Sequence, residues 1–135
     1  MRVAFGADER TAMAESVVGY LEKVGHQVEI VAWPGWWPDV GRTVGEAVAA
    51  GRADRGVVCC WTGTGVSIAA NKVHGVRAAL CVDAETARGA RKWNDANVLA
   101  LSLRLTSEQV ASEIVEAFLS TDPDPGEADA IALLR

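Results

Sequence analysis

Short apolar or β-branched runs recur along the chain at Arg2–Gly6, Gln27–Val31, Gly56–Cys60, Arg77–Val82 and Asn97–Leu101. The segments between them have the length and period of helices. In Thr11–Val24 the residues Met13, Val17, Val18 and Leu21 fall at helical spacing, and Gly25 follows as a stop. Val44, Val48 and the alanines around them mark a second helix closed by Gly51. Further helices are expected at Ala84–Lys92 and at Ser107–Leu119, the latter opened by the capping sequence TSEQ. This alternation predicts a single-domain α/β fold, doubly wound and Rossmann-like, with a five-stranded parallel sheet and helices on both faces. Residues 121–135 leave the rhythm. Pro123, Pro125 and clustered acids there read as an acidic tail with a short terminal helix, beyond a domain of residues 1–120.

In a doubly wound sheet, ligands bind beyond the carboxyl ends of the strands where the winding reverses. With the flavodoxin-type order 2-1-3-4-5, that point lies between the first and third strands. The loops Ala7–Thr11 (ADERT) and Trp61–Gly65 (WTGTG) then face each other, with Cys60 at the crevice floor. Gly63 and Gly65 let consecutive N–H groups converge on an anion at the start of a helix, a nest suited to a phosphate or an enediolate oxygen. Cys60 also has a plainer reading as a small buried hydrophobe. Trp36, Trp37, Trp61 and Trp93 fall in loops or helix ends aimed at the crevice. They either stack on a sugar and narrow its pocket, or pack under long loops and at an interface.

Composition narrows the classes. A chain of 135 residues, 50% hydrophobic and 23% charged, fits one soluble domain. A net charge of −5 argues against a nucleic-acid or anionic-membrane surface and leaves small anions, bound by local positive charge. No apolar run approaches the roughly 18 residues that cross a bilayer, and MRVAFGADER turns polar too soon for a signal peptide, so a cytoplasmic protein is expected. Three cysteines, two of them adjacent, give neither a disulfide framework nor zinc-site spacing. No metal is expected, and the G-x-G turn lacks the rest of a dinucleotide fingerprint or P-loop, so no cofactor is either.

The segment CWTGTGVSIAANKVHGVRAALCVDAETARGARKWNDANVLAL, Cys60–Leu101, resembles the central signature of the type B ribose-5-phosphate isomerases and the related galactose-6-phosphate isomerase subunits. The usual form there is C-G-T-G-x-G-x-S-I-A-A-N-K, followed by H-N-D-A-N. GADER stands where the family has G-x-D-H-A-G, and WPDVG where it has Y-P-D-Y-A, so the resemblance spans about residues 1–120. It implies aldose–ketose isomerisation of a sugar or sugar phosphate through a cis-enediolate. Cys60 would be the base, Thr62 the hydroxyl near the ring oxygen, and Trp61, Thr62, Gly63, Thr64 and Gly65 the backbone anion hole. Asp8 and Asn94 would bind the sugar and Arg104 the phosphate. The family's site is completed across a dimer interface, which implies a homodimer or a dimer of dimers.

Several family positions have changed chemical type. The histidine before N-D-A-N is Trp93, the histidine of D-H-A-G is Glu9, and the glycine after the cysteine is Trp61. The C-terminal G-R-H-x-x-R segment, with its phosphate-binding arginines, is replaced by GEADAIALLR, which carries Glu127 and Asp129. Neither His26 nor His74 stands at a ring-opening position. Arg10 either adds a phosphate donor or pairs with Glu9 or another acid; Arg104 is either a phosphate contact or a surface residue. Two functional readings follow: an isomerase with an altered substrate, open-chain or unphosphorylated, or a catalytically silent sugar-binding or scaffold subunit. A redox role for Cys59–Cys60 is disfavoured because adjacent cysteines pair only with strain.

Overall fold

The computed structural model describes all residues, Met1–Arg135. Strands β1 (Arg2–Ala7), β2 (Gln27–Ala32), β3 (Arg55–Cys60), β4 (Ala78–Leu80) and β5 (Val98–Ser102) form one parallel sheet. Helices α1 (Ala12–Lys23), α2 (Trp37–Ala49), α3 (Thr64–Asn71) and α4 (Ala84–Asn94) connect consecutive strands, and α5 (Glu108–Ser120) follows β5. Side-chain caps start three of the helices where the sequence offers them. Thr11 accepts from Ala14 N, Asp83 from Thr86 N and Ser107 from Val110 N. Helix α2 begins at Trp37, well before the apolar repeat, because Pro38 suits a first helical turn.

Alternation along the strands divides the core in two. Val3, Phe5, Val57, Cys59, Leu99 and Leu101 pack with α1, α4 and α5, whereas Ala4, Val58, Cys60, Val98 and Ala100 pack with α2 and α3. Helices therefore cover both faces, and the adjacent cysteines point to opposite sides of the sheet.

The strand order is β2-β1-β3-β5-β4, which corrects the expected 2-1-3-4-5 in its last two positions. All five residues of β5 are buried, so it needs a strand on each side; β4 has only three residues, all half-buried, and suits an edge. Asn71, at the end of α3, covers that edge. Its Nδ2 donates to Ala78 O at 3.0 Å and its Oδ1 accepts from Ala78 N at 2.7 Å, where a further strand would have paired. The reversal of winding between β1 and β3 is unaffected.

The tail is anchored to α4. Arg91 Nε donates to Thr121 O at 3.0 Å, Asp124 N donates to Lys92 O at 2.9 Å, and Ile131 of the short helix α6 (Ala128–Ala132) is buried.

Candidate active site

The carboxyl ends of β1 and β3 open into a cleft of about 420 Å³. It brings together Asp8, Cys60, Trp61, Thr62, Thr64 and Gly65, and Trp37 and Ile68 add an apolar wall. Cys60 is 5% exposed at its floor. The start of the following loop is fixed from the β5 side. Leu103 N donates to Cys60 O and Arg104 N to Trp61 O, both at 2.9 Å, and Ser102 Oγ donates to Trp61 O at 3.0 Å. A trans peptide is planar, with its N–H opposed to its C=O. The N–H groups of Trp61 and Thr62 are thereby turned from β5 toward β1, and those of Trp61, Thr62 and Gly63 have no protein acceptor.

Gly63 caps α3 with φ +78, and a Cβ there would stand 2.6 Å from Leu80 Cδ1 and 3.0 Å from the Leu101 carbonyl carbon, so only glycine fits. The Thr62 and Thr64 hydroxyls lie 2.8 Å apart. Asp8 N donates to Cys59 O at 3.2 Å, tying β1 to β3 at the cleft. The Asp8 carboxyl is pushed above the usual range, first by burial and then by the charge of Glu9, and its Oδ1 is buried without a partner.

Other expected residues lie elsewhere. Glu9 and Arg10 are exposed and do not line the cleft. Arg10 pairs with no acid: its guanidinium lies 4.6 Å over the Trp33 ring and donates to Trp33 O at 3.2 Å, while Trp33 Nε1 donates to Glu9 O at 2.9 Å. A cation over an indole face keeps both charge and stacking at an exposed site. Trp36, 71% exposed, also falls outside the cleft. Arg104 meets the Trp61 carbonyl through its backbone and leaves its guanidinium exposed, outside every ion pair.

Trp93 and Asn94 line a different cleft of about 520 Å³, between β4 and α4. The Trp93 ring folds back over Gly89, where a Cβ would come within 2.7 Å of it. One chain therefore does not join these residues to Cys60. The neighbouring Asp95 holds the end of α4 from below. In the left-handed conformation at φ +47, its carboxylate accepts from buried Arg91 at 2.8 Å and from Arg77 at 3.2 Å.

The sequence reading missed Ser102, Ile68 and Trp33. Ser102 carried a usable signal, as the one polar residue of an apolar strand and two positions on from Ala100, on the Cys60 side of the sheet. All three cysteines are free; burial pushes the Cys59 thiol far up and the Cys81 thiol to about 11. No group of three or more His, Cys, Asp or Glu side chains is placed to hold a metal ion, and no helix is long and apolar enough to cross a membrane.

Residues 3–132 match the family model described as Ribose/Galactose Isomerase. The chain belongs to the ribose/galactose isomerase family, the sugar-phosphate isomerases. Among members of the family, the D-erythrulose-4-phosphate isomerase of Pectobacterium atrosepticum is 36% identical over 132 residues, covering 93% of this chain and 87% of the relative. The ribose-5-phosphate isomerase B of Escherichia coli matches with the same identity and coverage. The type B ribose 5-phosphate isomerase structure from Trypanosoma cruzi superposes with a TM-score of 0.93 at 36% identity, covering 100% of this chain and 96% of that one.

Proposed function

We propose that this member of the family interconverts the aldose and ketose forms of a short, open-chain sugar phosphate, with Cys60 as the base. The observation that carries the reading is Cys60 itself, at the floor of a cleft lined by Trp61 and Thr62, whose N–H groups have no protein acceptor. In the reaction the Cys60 thiolate takes a proton from the carbon beside the carbonyl, and the freed electron pair moves into the carbonyl oxygen. The N–H groups of Trp61 and Thr62 oppose the charge growing on that oxygen. Cys60 then returns the proton to the neighbouring carbon, while Thr62 assists the transfer between the two oxygens. Asp8 binds a sugar hydroxyl.

Substrate length follows from the departures. A tetrulose 4-phosphate has its terminal oxygen esterified and cannot close a five-membered ring, so it needs no ring-opening histidine, and Trp93 stands at that position here. Trp37, Trp61 and Ile68 wall the cleft, which favours a short chain. The Pectobacterium relative is named for such a substrate. Arg104, joined through its backbone to Trp61 and outside every ion pair, meets the phosphate. Asn94 and Trp93 arrive from a second copy of the chain, making the active form a homodimer, which sedimentation at micromolar concentration reads directly.

A coupled assay of the purified protein tests this against D-erythrulose 4-phosphate, D-ribose 5-phosphate, hexose 6-phosphates and the free sugars. The expected result is the highest kcat/KM on the tetrulose phosphate; equal or better turnover of ribose 5-phosphate overturns the choice of substrate. The silent-subunit reading is favoured by the loss of the histidine and of the C-terminal arginines. Binding without turnover across the whole panel would establish it.

A further inference from the structure

Ser102 closes a strand whose other residues, Val98 to Leu101, are all apolar and buried, and it is itself only 4% exposed. Cys60 and Ser102 are register partners in parallel strands, so both side chains stand on the same face of the sheet. A buried hydroxyl needs partners, and this one has two. Its Oγ donates to Trp61 O at 3.0 Å and accepts from Leu105 N at 3.1 Å. Together with Arg104 N at 2.9 Å, it gives the Trp61 carbonyl two donors from the β5 side.

We propose that Ser102 is a positioning residue for the isomerisation: it locks the Trp61–Thr62 peptide so that Thr62 N–H is aimed in advance at the oxygen that becomes negative in the enediolate. The proposal rests on the reading of the Cys60 cleft as the isomerase site. Because the peptide is planar, holding Trp61 O toward β5 holds Thr62 N–H toward β1 and the cleft. A donor fixed in advance stabilises developing charge without reorganising during the reaction. Ser102 touches no substrate; it acts through the peptide. Without its hydroxyl the carbonyl keeps only Arg104 N, and the peptide is free to tilt. The cleft walls stay as they are, so the effect falls on the charged intermediate and spares the uncharged sugar chain.

Calorimetry with two probes on the wild type, Ser102→Ala and Ser102→Thr tests this. 3-Phosphoglycerohydroxamate, whose nitrogen takes the place of C1 in a four-atom chain, presents a planar anion that mimics the four-carbon enediolate. Erythritol 4-phosphate has the same chain without that group. Ser102→Ala should lose on the order of tenfold in hydroxamate affinity, the scale of one hydrogen bond, while its erythritol 4-phosphate affinity stays within about twofold. Ser102→Thr, which keeps a hydroxyl, should restore the difference. Turnover of D-erythrulose 4-phosphate should fall in kcat by the same factor at unchanged KM. Equal losses for both probes, or none for the hydroxamate, overturn the proposal. Cys60→Ser separates the two levels. Full turnover by that variant would sink the assignment of the cleft and this proposal with it, whereas normal hydroxamate binding by Ser102→Ala beside an inactive Cys60→Ser would sink this proposal alone.

Discussion

Trp37 lies across Gly65 so closely that a Cβ at residue 65 would stand 2.7 Å from its ring. The first turn of α2 and the first turn of α3 thus form one wall of the cleft, and the wall depends on a glycine having no side chain. Gly65→Ala should push the indole outward, reducing stability by about 1–3 kcal/mol, as overpacking does, and raising KM. Urea denaturation and steady-state kinetics read the two effects; an unchanged KM would show that Trp37 does not bound the substrate.

Cys60→Ser keeps the shape of the side chain but replaces a thiol with a far weaker acid. The loss in kcat is expected to be roughly 10²–10⁴-fold, the scale of a general base. Cys59 faces the other core, where burial already pushes its thiol up. Cys59→Ser puts a hydroxyl among apolar side chains and should lower stability by about 1–3 kcal/mol with little change in kcat. The reverse pattern would mean that the base has been assigned to the wrong face of the sheet.

The Asp8 carboxyl is raised by burial and by Glu9, so the folded state holds its proton more tightly than the unfolded chain does. Its contribution to stability is therefore largest below the ordinary carboxylate range and is lost as pH rises through the raised value. Asp8→Asn should melt higher than the wild type at neutral pH, with the difference shrinking toward acid. A gap that widens in acid would contradict the direction of the shift.

Arg91 is 1% exposed, and its guanidinium serves Asp95, Ala96 O and Thr121 O. Arg91→Met strips this donor from Asp95 Oδ1, Ala96 O and Thr121 O, leaving Asp95 only its contact with Arg77, for a loss of about 3–5 kcal/mol measured by denaturation. A loss below about 1 kcal/mol would mean that water replaces the guanidinium without difficulty.

Trp93→His restores the imidazole of the family motif. If a missing ring-opening group limits activity on D-ribose 5-phosphate, this variant should gain turnover on that sugar and none on D-erythrulose 4-phosphate. Equal gains on both would point to relief of steric crowding instead.

The chain's own pattern determined much of this. Five strands, the helices between them and the loops that meet at the β1–β3 reversal were legible because alternation and helical period are local properties. The same locality made Asp8, Cys60, Trp61, Thr62, Thr64 and Gly65 readable as one cleft, since each follows closely on a strand end. Tertiary structure decided what depended on distant partners. The placement of β5 beside β3 came from the burial of all five of its residues, a quantity that no window of sequence contains. Asn71 and Asp95 sit in the motifs SIAANK and NDAN, yet in this chain they bond to the β4 edge and to two arginines. Arg10 turned to the Trp33 face because the β2–α2 connection happens to begin beside it. Trp93 and Asn94 went to a second cleft for a similar reason: α4 returns to the sheet at β5, on the opposite face from α2 and α3, and the direction of a crossover is fixed only when the whole sheet is assembled.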